Sequence, residues 1–208
     1  MRIESVSANP DRVGRYYVKL ESGETLRLYR QTVEDYAIYA GREMDEAELE
    51  RLRVDAGKMS AKMRATRILA ATDVSKKDLQ QRLVQKGEDP QQAAEAVAWL
   101  EELNLVDDAR TADIIVRRCI AKGYGLARAK QALYEKRIPK AYWEEALADY
   151  PDQMEAIAAH LSKLDTKDPK QVKKAVDALI RKGHSYANIK KAMSDLPMED
   201  DFSEDYDG

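Results

Sequence analysis

The sequence predicts a mainly α-helical protein: three tandem three-helix repeats forming an elongated, curved helical array, preceded by a small N-terminal β-hairpin segment and a helix. Three observations predict it. Charged residues make up 35% of the 208 residues against 44% hydrophobic and 7% aromatic, a profile of exposed helices around a modest core. From Gln31 onward, apolar residues recur at helical spacing between capping signals. One pattern also returns twice, as Leu83-Val84-Gln85-Lys86-Gly87, Leu133-Tyr134-Glu135-Lys136-Arg137 and Leu179-Ile180-Arg181-Lys182-Gly183. A chain of this length buries a core without metal or disulfide staples, and its composition excludes a large β-sandwich.

Residues 1–29 read differently from the rest. Tyr16, Val18 and Leu20 alternate with Tyr17 and Lys19, and Thr25-Leu26-Arg27-Leu28 follows Ser22-Gly23, which predicts a hairpin with a two-residue turn. Asn9-Pro10-Asp11 supplies an earlier turn, so residues 2–6 add a third strand. Thr32-x-x-Asp35 and Asp45-x-x-Glu48, separated by Gly41, have the form of capping boxes, in which side chains satisfy orphan backbone N–H groups at a helix start. Further starts are predicted at Ser75 with Asp78, Asp89-Pro90, Ile138-Pro139, Asp168-Pro169 and Ser185, opening helices of about a dozen residues.

The repeats lie 50 and 46 residues apart, and their flanks share apolar columns. Before the Gly87/Arg137/Gly183 column come Leu83, Leu133 and Leu179, and, one helical turn earlier, Leu79, Ala129 and Ala175. After it come Ala93, Trp143 and Ile189, then Val97, Leu147 and Met193, then Leu100, Tyr150 and Leu196. Amphipathic segments at 58–72, 108–121 and 152–164 precede the three pairs and complete three-helix modules. Modules that cannot bury their faces alone are expected to stack around one continuous core. The expected organisation is an N-terminal segment 1–57, repeats at 58–107, 108–150 and 151–197, and a disordered acidic tail 198–208.

The net charge of −3 conceals an asymmetry. Residues 195–208 carry seven acids and no base, which leaves the body at +4; residues 34–55 hold eight acids to three bases, and 58–86 hold eight bases to two acids. The middle helices concentrate the positive charge: Lys76, Lys77, Arg82 and Lys86 in the first, Arg128, Lys130, Lys136 and Arg137 in the second, and Lys170, Lys173, Lys174, Arg181 and Lys182 in the third. Residues 114–140, with Arg117, Arg118, Lys122 and Lys140 added, hold eight bases and the single acid Glu135. A basic stripe of this kind suits a phosphate backbone or an acidic protein groove. The alternative is a solvated helix face whose cations complement helix C-termini.

Lys122-Gly123-Tyr124-Gly125 admits two readings: glycines that let backbone approach a ligand while Tyr124 stacks on a base, or a helix C-cap and inter-module turn. Asp107-Asp108 reads as a helix N-cap rather than a metal site, since no third ligand stands at suitable spacing. Cys119, the only cysteine, cannot form an internal disulfide and falls on an apolar helical face, as a core residue does. His160 and His184 lack a local nucleophile or acid, and Trp99 and Trp143 occupy core-like positions. No nucleophile elbow, carboxylate pair, phosphate loop or zinc cluster appears, so a binding protein without enzymatic chemistry, cofactor or metal is expected. No apolar run suits export or membrane spanning, and a cytoplasmic monomer is expected.

The run Ser75-x-x-Asp-Leu-x-x-Arg-Leu-x-x-Lys-Gly87, then Leu100-x-x-Leu-x-Leu-Val-Asp-Asp108 with Ala112, then Lys122-Gly-x-Gly125 and Leu133-x-x-Lys-x-Ile138, resembles the RecX family of recombinase regulators. Leu179-Ile-Arg-Lys-Gly183 with Ile189 resembles that family's closing repeat. Two positions depart from the family pattern, Thr111 in place of an aromatic residue and Arg137 in place of glycine. The resemblance implies three tandem three-helix repeats and a protein that binds RecA, lodges in the groove of its filament on single-stranded DNA, and restrains filament growth, ATP hydrolysis, strand exchange and co-protease activity. It also implies direct DNA binding in some members, and no catalytic residues. The candidate contact residues are Arg82, Lys86, Arg117, Arg118, Lys122, Tyr124, Arg128, Lys130, Lys136, Arg137, Arg181 and Lys182.

Overall fold

Alternation of apolar residues builds the N-terminal sheet. In the computed structural model, which describes residues 1–162 and 168–195, β1 (Ile3–Val6), β2 (Arg15–Leu20) and β3 (Thr25–Tyr29) pair antiparallel in the order β1-β2-β3. Ile3, Val18, Leu20 and Leu28 turn to one face and are buried. The hairpin turn corrects the expected two-residue loop. Leu20 and Glu24 close the ladder at 2.9 Å, leaving Glu21-Ser22-Gly23 between them, with Gly23 at φ +87°. A two-residue turn of the hairpin type needs positive φ at both central positions, or at the first; only Gly23, the last loop residue, supplies it.

Helices follow from Arg30 onward. The first, α1 (Arg30–Asp35), starts straight out of β3 with Tyr29 as its N-cap and no side-chain cap, so Thr32 is buried inside the helix instead of capping it. Asp35 ends the helix and accepts the Gln31 amide at 2.7 Å. The second box holds: the Asp45 carboxylate accepts the Glu48 N–H at 2.7 Å at the start of α2 (Glu46–Ala71). This helix runs unbroken through the expected boundary at 57/58. Gly57 weakens a helix by about 1 kcal/mol but neither removes a donor nor adopts a left-handed conformation here, so nothing stops the chain.

Next come α3 (Lys76–Gln85), capped by Ser75, and α4 (Pro90–Glu102), capped by Asp89. After α5 (Asp108–Ala121) and α6 (Leu126–Glu135) the pattern weakens. A 3-10 turn at Lys140–Tyr142 and a short α7 (Trp143–Leu147) stand where a helix of about a dozen residues was expected. The residue in the capping position is Pro139, which has no side-chain acceptor, whereas Asp89 and Asp168 each take up first-turn N–H groups. The remaining helices are α8 (Gln153–Leu161), α9 (Pro169–Arg181) and α10 (Tyr186–Ser194). Leu196 and the acidic segment 198–208 lie outside the described residues.

The chain divides into two compact units, Met1–Asp107 and Asp108–Gly208. Among the described residues, neither unit has the single continuous core expected of stacked modules: in the first, buried side chains gather where the sheet meets Leu49 and Leu52 of α2 and where Ala61 and Ala65 of α2 meet α3 and α4; in the second, they gather around α5 with α6 and Ile138 and around α8 with α9 and α10. The repeat columns supply them, since Leu79, Ala129 and Ala175 and Leu83, Leu133 and Leu179 are all buried.

The helix ends in the repeat column share one geometry. Gly87, Arg137 and Gly183 have φ of +89°, +55° and +89°, and their N–H groups donate to Val84, Tyr134 and Ile180. The residues one further on, Glu88, Ile138 and His184, donate their N–H groups to Leu83, Leu133 and Leu179. These are Schellman motifs, in which a left-handed residue turns the chain back across the last helical turn. Arg137 accepts a conformation that costs an L-residue with a Cβ about 1–2 kcal/mol. Arg137→Gly is therefore expected to raise the urea midpoint by an amount equivalent to about 1 kcal/mol; an unchanged or lower midpoint would refute the strain.

Candidate functional site

Helical spacing brings the predicted basic residues of the second unit together. Arg118 and Cys119 of α5 and Lys122 just past its end line, with Arg128 and Ala132 of α6 and Lys136 beyond it, a cleft of about 200 Å³. Tyr124 joins the lining, and the Lys122 ammonium stands 5.9 Å from its ring centre. Glu135 is the acid on this cleft and pairs with Arg128 at 3.5 Å. Arg117, Lys130, Arg137 and Arg181 are exposed outside the lining, and Lys182 is half-buried. Five of the twelve candidates thus share one cleft. Two others, Arg82 and Lys86, belong to the first unit.

The turn Lys122-Gly123-Tyr124-Gly125 is approached by the chain's own backbone. The Gly125 N–H donates to the Lys182 carbonyl at 2.8 Å, and a Cβ at Gly125 would fall on the Gly183 carbonyl. A Cβ at Gly183 would in turn meet the Arg128 nitrogen at 2.5 Å. His184 completes the crossing. Its Nε2–H donates to the Gly123 carbonyl at 3.2 Å, while Nδ1 is buried without a hydrogen-bond partner. Burial, with a smaller contribution from Lys182, holds the imidazole below its ordinary pKa of 6.5, despite the Gly123 carbonyl, which favours the charged ring. Tyr124 is half-buried against the α5–α6 cluster, and its carbonyl accepts the Tyr150 hydroxyl at 2.7 Å, whose pKa burial pushes up to about 12.

A second cleft, of about 470 Å³, lies in the first unit between the turn leading into β2, the second half of α2, and α3. Arg15, Arg64, Arg67, Arg82 and Lys86 line it. Arg64 and Arg67 share one helical face at i, i+3 spacing, and Arg82 and Lys86 another at i, i+4. Sequence reasoning passed over Arg15, Arg64 and Arg67; the excess of bases in 58–86 was the signal for Arg64 and Arg67, and no local signal marked Arg15. Carboxylates position several of these groups from outside the lining. Asp11 grips Arg15 at 2.7 Å, and the N–H groups of Arg15 and Val13 together with that guanidinium hold its pKa down at about 2. Glu88 holds Arg64 at 2.5 Å and Asp78 holds Arg82 at 3.0 Å.

The remaining candidates are structural. Burial raises the Cys119 thiol pKa, which keeps it protonated and unreactive near neutrality. The Trp143 indole donates to the Ile138 carbonyl at 3.0 Å, and Lys62 sits 5.1 Å over the Trp99 ring. Among the described residues, no three His, Cys, Asp or Glu side chains gather as metal ligands, and no helix is long and apolar enough to cross a membrane.

Comparison with known proteins decides the family. Residues 107–147 match the family description "RecX, second three-helix domain". The regulatory protein RecX of Vibrio parahaemolyticus is 31% identical over 141 residues, which span 65% of this chain and 91% of that protein. The chain belongs to the RecX family. The RecX of Streptococcus gordonii is 26% identical over 192 residues, 89% of this chain and 74% of its own. A crystal structure of regulatory protein RecX shares the fold with TM-score 0.61 at 20% identity, covering 93% of this chain and 98% of its own. RecX from Lactobacillus salivarius superposes with TM-score 0.54 at 22% identity, over 67% of this chain and 96% of its own. Membership gives the chain a regulatory role. In this RecX-family chain, the departure Thr111 is buried on α5, and the departure Arg137 keeps the left-handed backbone of the glycine column.

Two predictions follow from the crossing of the two glycine turns. Gly125→Ala should destabilise the second unit by about 1–3 kcal/mol in urea unfolding, because the Gly183 backbone must retreat. Because the folded protein binds a proton at His184 less readily than the unfolded chain, this contribution to stability is complete above pH 6.5 and is lost as pH falls below it. Urea midpoints of the wild type should therefore fall more steeply below pH 6.5 than those of His184→Gln; parallel profiles would exclude the imidazole.

Proposed function

We propose that this chain restrains recombinase filaments: it binds RecA and the RecA filament on single-stranded DNA, and inhibits ATP hydrolysis, strand exchange and co-protease activity. In the cytoplasm this would modulate recombinational repair and the SOS response. One observation carries the reading beyond family membership. The same repeat position is an exposed apolar residue each time, Val84 at 39%, Tyr134 at 68% and Ile180 at 47%, and each stands two residues before a lysine, Lys86, Lys136 or Lys182. Single exposed apolar residues are ordinary, but recurrence in register is what a partner with repeating subunits requires. Pairing an apolar contact with a cation fits an acidic protein surface, where charge guides encounter and the apolar group supplies affinity.

The mechanism is occupancy. Contacts that bridge or cap neighbouring subunits shift the balance between subunit addition and loss, so few bound molecules affect many subunits. The second reading, competition with RecA for DNA, is favoured by the basic clefts, and would make affinity fall steeply with salt and persist without RecA. Single-strand-dependent ATP hydrolysis by cognate RecA, with DNA in excess, separates the two. Inhibition well below RecA stoichiometry is expected; an effect only when the protein saturates the DNA would favour competition. Arg117→Glu with Lys122→Glu should weaken filament binding while leaving the urea midpoint within about 0.5 kcal/mol of wild type, as for exposed residues; unchanged filament binding would exclude that surface.

A further inference from the structure

We propose that the acidic segment 196–208 of this chain is the resident occupant of the second unit's basic cleft, an autoinhibitory contact that an anionic partner must displace. The contact is intramolecular, and it stands or falls without the recombinase reading. Residues 196–208 carry six acids, Glu199, Asp200, Asp201, Glu204, Asp205 and Asp207, and no base. Arg118, Lys122, Arg128 and Lys136 line the cleft together with one acid, Glu135. Glu135 pairs with Arg128 at 3.5 Å, and four cations against one acid leave the lining with an excess of three positive charges.

The segment begins within reach of that cleft. The end of α9 lies against it: the Lys182 carbonyl accepts the Gly125 N–H at 2.8 Å, and a Cβ at Gly183 would meet the Arg128 nitrogen at 2.5 Å. From Gly183 the chain takes three residues to enter α10, at most about 11 Å. The nine residues of α10 add about 14 Å. Asp195 therefore stands no more than about 30 Å from the Arg128 backbone, and the thirteen residues 196–208 span up to about 43 Å. A tether of this length holds the acids around the cleft at an effective concentration of about millimolar, which turns weak ion pairs into a populated contact.

The lining also matches the aromatic residues that interrupt the acids. Ile115, Cys119, Tyr124 and Ala132 give the cleft an apolar part, and its volume of about 200 Å³ exceeds the roughly 150 Å³ in which an apolar cavity accepts benzene. Phe202, the only phenylalanine of the chain, follows Asp200-Asp201, and Tyr206 stands between Asp205 and Asp207. One aromatic ring flanked by carboxylates satisfies both parts of such a lining, the ring by burial and the carboxylates by charge. The cleft of the first unit has only Val13, Ile68 and Ala71 as its apolar part, and the segment belongs to the second unit.

The test is paramagnetic broadening of amide signals in the full chain, with a nitroxide attached at Ser203→Cys. Cys119 is buried with its thiol held protonated and stays unlabelled. At about 25 mM salt the signals of residues 118–136 should lose at least about half their intensity relative to the reduced label, and at about 0.5 M salt they should recover, because exposed charge pairs are screened. Asp200→Asn, Asp201→Asn, Glu204→Gln and Asp205→Asn together should restore them at low salt, and so should Lys122→Glu, whose side chain is exposed. The fourfold variant alters no described element, so it carries the test if Lys122→Glu fails to fold. Uniform broadening, or none at low salt, would leave the segment solvated and overturn the contact. Broadening centred on Arg64, Arg67 and Arg82 would move it to the first unit's cleft, and broadening of an isotope-labelled, spin-free chain mixed with the nitroxide chain would assign it to a second copy; either overturns the proposal. Broadening that persists in the fourfold variant would remove charge as its cause and overturn it as well.

Discussion

The left-handed residue that closes the middle helix of each module is the constraint on which the rest of the structure depends. At Gly87, Arg137 and Gly183 the backbone reverses, so that the next residue donates back to the helix and the following segment packs on it. That next residue is buried every time, as Glu88, Ile138 or His184. Ile138 joins the apolar cluster beside Leu133, the ordinary companion of this motif. The other two are polar and need partners, and their partners tie helices together.

Glu88 is buried and takes the Arg64 guanidinium and the Ser60 hydroxyl, so the end of α3 is tied to α2. His184 reaches the Gly123 carbonyl and ties the end of α9 to the end of α5. A buried carboxylate or imidazole is tolerated because it is hydrogen-bonded, and removing either partner would leave the other paying its desolvation alone. The same arrangement sets the electrostatics of the surface. In the first unit the acids that anchor Arg15, Arg64 and Arg82 lie outside the cleft lining, whereas in the second Glu135 lines the cleft and pairs with Arg128.

Two side chains with shifted proton affinities are built into the packing. The thiol at Cys119 is buried and kept protonated, and the perturbed histidine lies in a backbone crossing rather than in a cleft. Under the proposed function, affinity would come from many modest contacts, each of the size expected for an exposed ion pair or a small apolar contact. In the proposed binding of a recombinase filament, repetition in register would meet a partner that itself repeats.

Much of this was legible in the sequence. Apolar periodicity, N-capping residues and the repeat determined the helical class, the strand segment, most helix starts and the buried columns, because these follow from spacing along one element and its own backbone needs. Family membership was legible for the same reason, in Leu-Val-Asp-Asp108 and the Lys-Gly helix ends. The single helix through Gly57, the three-residue hairpin turn and the short α7 were not, since each depends on whether a neighbouring group or cap is present rather than on the local pattern. The sites show the difference most clearly. Helical spacing pairs Arg118 with Lys122 and aligns Arg128 with Lys136, but only tertiary structure set the two pairs on one cleft, placed Arg15 of the sheet beside Arg64, Arg67 and Arg82, and revealed that the backbone approaching Gly125 is the chain's own Gly183. Residues distant in sequence meet through packing, and packing is decided by the shapes of whole elements, which no local pattern records.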